Sequence, residues 1–334
     1  MRAGAALFRA FACQSGSRFG RGGGAVNRLG PILLAVLLLA GGCVDLPGEA
    51  GPPPASRLLA GTFQLARDPE SPAAVWTRQN AGGKSPAFEP IERDVAYIPV
   101  AHRFTAADEN LSQHVHDFVT QAATQRWMPM LVAAFTESGA CPAERSPAVS
   151  DLAHGLGDSK AIVVLEPRLL GGKCADTTAV TRYLNASVRQ LRAESLNAFV
   201  FLDVSAGGTV EEQRARLISA GVAQAAGVTF GVGGYTPAAQ LAGPARKLHD
   251  ALAAATGRSD YFLLADSSRN AAAVTGTCNP AGARLGPASV LSDQPGALQQ
   301  AWLTVPGVSD GPCGAAPASQ AGEFVPDLAR QMTG

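Results

Sequence analysis

Glu137, Glu166, Asp203, Asp266 and Asp310 each stand at or shortly beyond the end of a short apolar run, with Arg168, Arg269 and Asn270 beside them. Carboxylates gathered at one rim can divide acid and base work. One protonated group gives its proton to a leaving oxygen while an ionised one directs water. Arginine does different chemistry: a guanidinium stays protonated at working pH and cannot act as a general acid, but its planar fork matches a carboxylate, sulfate or phosphate. Asp203, Asp266 and Asp310 together could instead recruit a cation. Other chemistry has weaker support. His114 and His116 are two apart and do not share a helix face, no C-x-x-C spacing suggests a metal, and Gly227, Gly231, Gly233 and Gly234 lack the spacing of a phosphate loop. Neither a resident metal nor a cofactor is expected.

These residues need a scaffold that brings strand ends together. Apolar runs at 62–66, 95–100, 130–135, 161–167, 198–204, 228–232, 261–266 and 301–305 read as buried strands. Between them, 111–126 places Leu111, Val115, Phe118, Val119 and Ala122 on one helix face. Thr209 with Glu212 forms a capping-box start for a helix near 210, and another helix covers 239–255. Strands apolar on both faces and alternating with helices imply a parallel sheet covered by helices. About eight strands favour a barrel over an open sheet, and either fold puts function at the carboxyl ends of the strands.

Charge and composition narrow the partners. With 27 basic and 27 acidic residues and 46% apolar content, the chain fits neither disorder nor a nucleic-acid binder. The first acidic residue is Asp45, after Arg2, Arg9, Arg18, Arg21, Arg28 and the apolar run 31–40. Residues 1–43 therefore read as an export signal. The run ends in Leu39-Ala40-Gly41-Gly42-Cys43, similar to a lipobox, so a lipid on Cys43 and a membrane attachment are expected. Residues 44–60, rich in proline and glycine, read as an extended tether, and 61–334 as one domain. Of six cysteines, Cys141, Cys174, Cys278 and Cys313 fall in that domain; in an exported chain they suggest two disulfides with three possible pairings.

Several segments, in order, resemble glycoside hydrolase family 6, the endoglucanase and cellobiohydrolase family. The run ending Glu166-Pro167-Arg168 resembles the family's Glu-Pro-Asp strand end. Phe201-Leu202-Asp203, Asp266-Ser267-Ser268-Arg269-Asn270, Cys278-Asn279-Pro280, Trp302, Ser309-Asp310-Gly311 and Gln320-Ala321-Gly322-Glu323-Phe324 continue the match over about 60–332. The resemblance implies a distorted (β/α) barrel of about seven parallel strands, disulfides Cys141–Cys174 and Cys278–Cys313, and a polysaccharide partner, β-glucan for the family. It makes Asp310 the base equivalent and puts Asp203, Asp266, Asn279, Trp302 and Tyr235 among substrate-binding positions.

The same alignment shows what is missing. Family members invert: an acid protonates the glycosidic oxygen while water attacks from the opposite face. Arg168 stands at the acid position. Ala140 replaces an aspartate before Cys141, and Thr304 and Val308 replace a lysine and a glutamate near Asp310. Ala206 stands for a histidine, Thr209 and Thr277 for sugar-stacking tryptophans, and 231–235 departs from the family's sugar loop except at Val232 and Tyr235. Glu137 is the candidate substitute acid, and Asp176 a weaker one; Glu166 reads as structural. Arg168 has two readings, an ion pair with Asp310 or Asp266 across the mouth, or a clamp for an acidic glycan. The expected protein is thus a divergent β-1,4-glucanase-like hydrolase or a non-catalytic glycan-binding lipoprotein of the cell envelope.

Overall fold

The computed structural model describes residues 64–136, 140–204, 207–292, 294 and 296–334, all within the unit 47–334. The signal, Cys43, the tether, Glu137 and Ala206 lie outside the described residues. The strands are β1 (Gln64–Leu65), β2 (His102–Thr105), β3 (Trp127–Met128), β4 (Met130–Ala134), β5 (Ala161–Leu165), β6 (Ala198–Asp203), β7 (Gly227–Phe230), β8 (Phe262–Asp266) and β9 (Leu298–Ala301). The α-helices are α1 (Pro72–Gln79), α2 (Phe88–Ile91), α3 (Leu111–Thr124), α4 (Pro147–Leu156), α5 (Thr177–Glu194), α6 (Val210–Ser219), α7 (Ala238–Thr256) and α8 (Pro326–Thr333).

Seven strands form one sheet in the order β2-β4-β5-β6-β7-β8-β9, while β1 and β3 form a small separate pair. Every pairing in the larger sheet is parallel. The sheet curls into a half-barrel, and Ala101 N donates to Trp302 O across the seam between its first and last strands. This is the distorted barrel that the resemblance implied; the alternation of strands and helices had favoured a barrel over an open sheet.

Strand side chains alternate between two apolar environments, as the two-residue repeat of a strand requires. Leu131, Ala133, Val163, Leu165, Val200, Leu202 and Leu263 pack outward against Val119, Leu152, Val188, Leu217 and Leu248 of the helices. Met130, Val132, Ile162, Val164, Phe199, Phe201, Phe262 and Leu264 fill the interior. The helices follow their sequence signals. In α5, Asp176 caps the first turn by accepting from Ala179 N at 2.9 Å, and Val180, Tyr183, Leu184, Ser187, Val188 and Leu191 make the buried stripe. The capping box of α6 is present on both sides.

Two strand expectations are corrected. Residues 95–100 are not a strand: Glu92–Ala96 form a π turn that continues α2, and the strand starts at His102. Pro99 has no N–H to give a ladder, and Val95 and Val100 are apolar because they pack beneath Trp302 and Ile91. The run 301–305 also shifts, with the strand lying at Leu298–Ala301. Beyond Ala301 the ladder ends because Trp302 N turns to Ser289 Oγ and Leu303 N to Asp266 Oδ1. Among the described residues no helix is long and apolar enough to cross a membrane.

The domain cysteines pair as Cys141–Cys174 and Cys278–Cys313, with Cα atoms 4.9 and 5.9 Å apart. They close loops of 33 and 35 residues, for which the chain-entropy argument gives about 4 kcal/mol each. Replacing both cysteines of either pair by serine is expected to lower the unfolding free energy by about 2–4 kcal/mol in urea titrations. An unchanged denaturation midpoint would refute the estimate for that pair.

Candidate functional site

At the carboxyl ends of the strands, three buried acids perform the same structural task. Each stands at the end of one strand and receives the backbone N–H of the loop leaving the strand before it. Glu166, just after β5, accepts from Phe135 N and Thr136 N, both at 3.1 Å, in the loop after β4. Asp203, ending β6, accepts from Arg168 N at 2.8 Å in the loop after β5. Asp266, ending β8, accepts from Gly233 N at 2.8 Å in the loop after β7. Further donors complete the shells: Tyr183 OH at 2.6 Å for Glu166, Thr229 Oγ1 at 3.0 Å for Asp203, and Ser268 N and Leu303 N at 2.9 and 3.2 Å for Asp266.

Asp310 belongs to a second cluster. Its Oδ1 lies 2.6 Å from Arg269 Nη2, and its Oδ2 accepts from Tyr235 OH at 2.6 Å and Asn279 N at 2.9 Å. Asp310 N returns a hydrogen bond to Asn279 Oδ1. The Arg269 guanidinium lies 4.4 Å from the Tyr235 ring centroid and also donates to Val308 O and Gly233 O. Burial pushes the Tyr235 phenol up; the nearby Arg269 charge opposes this, and the bond to Asp310 reinforces it. Tyr235 therefore holds its proton and donates to Asp310. The Cys278–Cys313 bridge ties the two chain segments of this cluster, since Asn279 follows one cysteine and Asp310 precedes the other.

Arg168 does not form the ion pair expected with Asp310 or Asp266. Left-handed backbone at Glu166 (φ 46°) and Arg168 (φ 68°) turns the chain sharply after β5. Its side chain then crosses the mouth, where Nε donates to Val232 O at 3.0 Å and Nη2 to Gly233 O. Arg269 already occupies Asp310, which explains why Arg168 settles on carbonyls. The guanidinium is exposed, and no partner among the described residues takes its Nη1.

The expected substrate contacts converge here but are buried. Asp203 is 2% exposed, Asp266 1%, Asn279 1%, Trp302 2% and Tyr235 7%. Trp302 in particular offers no ring face to a sugar: its indole N–H bonds to Pro287 O and its ring packs with Ile91, Val95 and Val100. All five are held by partners within the chain. Thr209 and Thr277 are exposed without any ring. Among the described residues the exposed large apolar side chains are Tyr97, Leu196, Ile218 and Val290, and the one aromatic, Tyr97, precedes β2 at the opposite end of the sheet. Asp176 is spent as a helix cap. No three of the described histidines, cysteines and acids are grouped to hold a metal, so the cation reading of the aspartates has no geometric support.

Arg103 was missed in the sequence. It sits on β2 next to Phe104, which packs outward against the helices, so the strand alternation turns Arg103 toward the barrel interior. A charge at an inward strand position was the available signal. Its side chain stays open to solvent and makes no hydrogen bond or ion pair with the described residues. Partial desolvation in the cleft lowers its pKa from the ordinary arginine value, Glu166 opposes that, and the like charge of Arg168 adds to it.

Comparison with known proteins agrees with this fold. No family model matches the chain. Endoglucanase 1 of Streptomyces halstedii is 28% identical over 284 residues, covering 79% of this chain and 87% of that protein. Endoglucanase A of Cellulomonas fimi is 26% identical over 240 residues, and the match spans 68% of this chain but about half, 51%, of that protein. Among solved structures, the Cel6 endoglucanase of Mycobacterium tuberculosis, in complex with a thio-linked cellobioside derivative, matches with a TM-score of 0.70 at 24% identity over 83% of this chain and 98% of that one. An endoglucanase of Humicola insolens gives 0.67 at 17% identity, covering 83% and 97% of the two chains. Sequence and fold together make this chain a relative of glycoside hydrolase family 6.

Glu166 gives a pH test. Burial raises its pKa above the ordinary glutamate value, and hydrogen bonds from Tyr183, Thr136 and Phe135 only partly offset this. The folded chain thus holds the proton more tightly than the unfolded one. That stabilisation is complete below the unfolded value and is lost as pH rises through the folded value, at up to about 1.4 kcal/mol per pH unit. Urea unfolding from about pH 4 to pH 8 should show this decline in the wild type and a flatter curve in Glu166→Gln. Parallel curves would show that Glu166 is not the titrating group.

Proposed function

We propose that the protein is an exported glycan-binding member of the cell envelope whose family 6 barrel mouth has lost acid-catalysed cleavage of β-1,4-glucan. The observation that carries this reading is Arg168. It stands where the resemblance expects the acid, and its guanidinium is held by Val232 O and Gly233 O. A general acid contributes about 10²–10⁴ in rate, and an arginine supplies none of it.

No described carboxyl is placed to substitute. Glu166 turns into Tyr183 and Thr136 and is 3% exposed. Asp203 and Asp266 are occupied by backbone and hydroxyl donors. Asp310, the base equivalent, is retained with its partner Arg269. Bare positions at Thr209 and Thr277 fit weaker stacking on sugar rings, and two disulfides fit an oxidising compartment. A lipid on Cys43 would hold the domain at a membrane through the tether 44–60.

The second reading, a divergent β-glucanase served by another acid such as Glu137, is favoured by the names of both sequence relatives, each an endoglucanase. Reducing-sugar release from amorphous β-glucan separates the two, with wild type, Arg168→Asp and Asp310→Ala run side by side. The expected result is a wild type at the level of the blank that nevertheless retains cello-oligosaccharide binding by calorimetry. Wild-type turnover that disappears in Asp310→Ala would overturn the proposal and make Glu137 the next residue to replace. Turnover gained only in Arg168→Asp would tie the loss to that one side chain.

A further inference from the structure

The charges at the mouth are sorted by depth. Glu166, Asp203 and Asp266 are 3%, 2% and 1% exposed and point into donors beneath the rim. Asp310 is bound to Arg269. Among the described residues, Arg168 and Arg103 are charged side chains open to solvent near them, and the charge of Arg168 acts on Arg103. Neither forms an ion pair with a carboxylate of the described residues: Arg168 bonds carbonyl oxygens, and Arg103, although the Glu166 charge acts on it, has no hydrogen-bond partner there.

Gly233, itself buried, brings Arg168 close to Arg269 and Thr304. A Cβ at this position would stand 3.3 Å from Arg168 Nη2, 3.4 Å from Arg269 Nη2 and 3.5 Å from Thr304 Oγ1. Two guanidinium groups and a hydroxyl therefore converge on a point that the chain leaves without a side chain. Both guanidinium groups share the one carbonyl oxygen of Gly233. Arg269 already has an anionic acceptor in Asp310, whereas Arg168, whose acceptors among the described residues are two neutral carbonyl oxygens, gains more from an anionic oxygen than from water, because charge-assisted hydrogen bonds are about twice as strong as neutral ones.

We propose that Arg168, Arg103 and Thr304 form a clamp for an anionic substituent, a carboxylate or sulfate, carried by a sugar of the glycan bound at the barrel mouth. This rests on the reading of the mouth as a glycan site and narrows its ligand to acidic polysaccharide. The clamp uses the position lost to proton transfer: the same side chain that cannot act as an acid supplies a fixed fork of donors. Arg269, buried and committed to Asp310, lies beneath it.

Binding of the full-length protein would be measured by calorimetry with three matched hexasaccharides: neutral β-1,4-glucan, its C6-carboxylate form and its C6-sulfate form. Wild type is expected to prefer at least one anionic form over the neutral one by about tenfold or more, and the preference should shrink at high salt. Arg168→Gln and Arg103→Gln should each reduce that ratio severalfold, and Arg168→Lys should restore part of it by returning charge without the fork. Comparing the carboxylate and sulfate arms identifies which anion is held. Arg103→Gln keeps the test sound if Arg168→Gln misfolds, because Arg103 bonds to no described residue. Equal binding of neutral and anionic glycans, or a preference that survives both glutamine substitutions, would overturn the clamp and leave glycan binding standing. Failure of all three glycans to bind would remove the glycan reading itself.

Discussion

The barrel mouth depends on one repeated interaction: a carboxylate at the end of a strand receives the N–H of the loop that leaves the neighbouring strand. Glu166 holds the loop after β4, Asp203 the loop after β5, and Asp266 the loop after β7. A parallel sheet makes this possible because all its strands end on the same side and adjacent ends lie within side-chain reach. The loops would otherwise leave the sheet with unpaired backbone donors, each costing about as much as a lost hydrogen bond. Asp266 extends the device by also taking Leu303 N from beyond β9, which joins three consecutive strand ends through one side chain.

This constraint also sorts the charges. Acids used as brackets must face down into backbone donors, so they leave the surface. Cations on the same rim find those acids already taken. Arg269 obtains Asp310 because Tyr235 and Asn279 hold that carboxylate from the other side. Arg168 is left with two carbonyl oxygens, and Arg103 with solvent. The resulting arrangement has an anionic floor and a cationic lip, although the whole chain carries equal numbers of basic and acidic residues. Net charge says nothing about such local order.

The kinship with family 6 lies in the scaffold more than in the exposed chemistry. The chain holds a half-barrel, two disulfides, the Ser268-Arg269-Asn270 turn and the Asp310 cluster. Arg168, Thr209 and Thr277 are exposed. Removing one partner of a buried hydrogen bond strands the other, so the bracketing acids are costly to replace, whereas exposed side chains are not held in this way.

Much of this was legible in the sequence. Alternating apolar runs and helical stripes gave the parallel α/β architecture, the capping box at Thr209 marked a helix start, and acids at the ends of runs marked the rim. Local chemistry sets those features, so local reading finds them. The reading failed where a residue's role depends on distant partners. The run 95–100 looked like a strand but is apolar because Trp302, two hundred residues on, packs over it. Trp302, which the resemblance puts among substrate-binding positions, is buried by those same distant partners. Arg168 was expected to pair with an aspartate, but the competition with Arg269 for Asp310 exists only once β5, β8 and the last loop are brought together. Arg103 went unnoticed because its signal, a charge at an inward strand position, is legible only once the strand is placed at His102–Thr105. Sequence alone determined which residues form the elements and which reach the rim. The tertiary structure decided which charges are paired, because electrostatic partners are chosen by proximity in space among groups far apart in the chain.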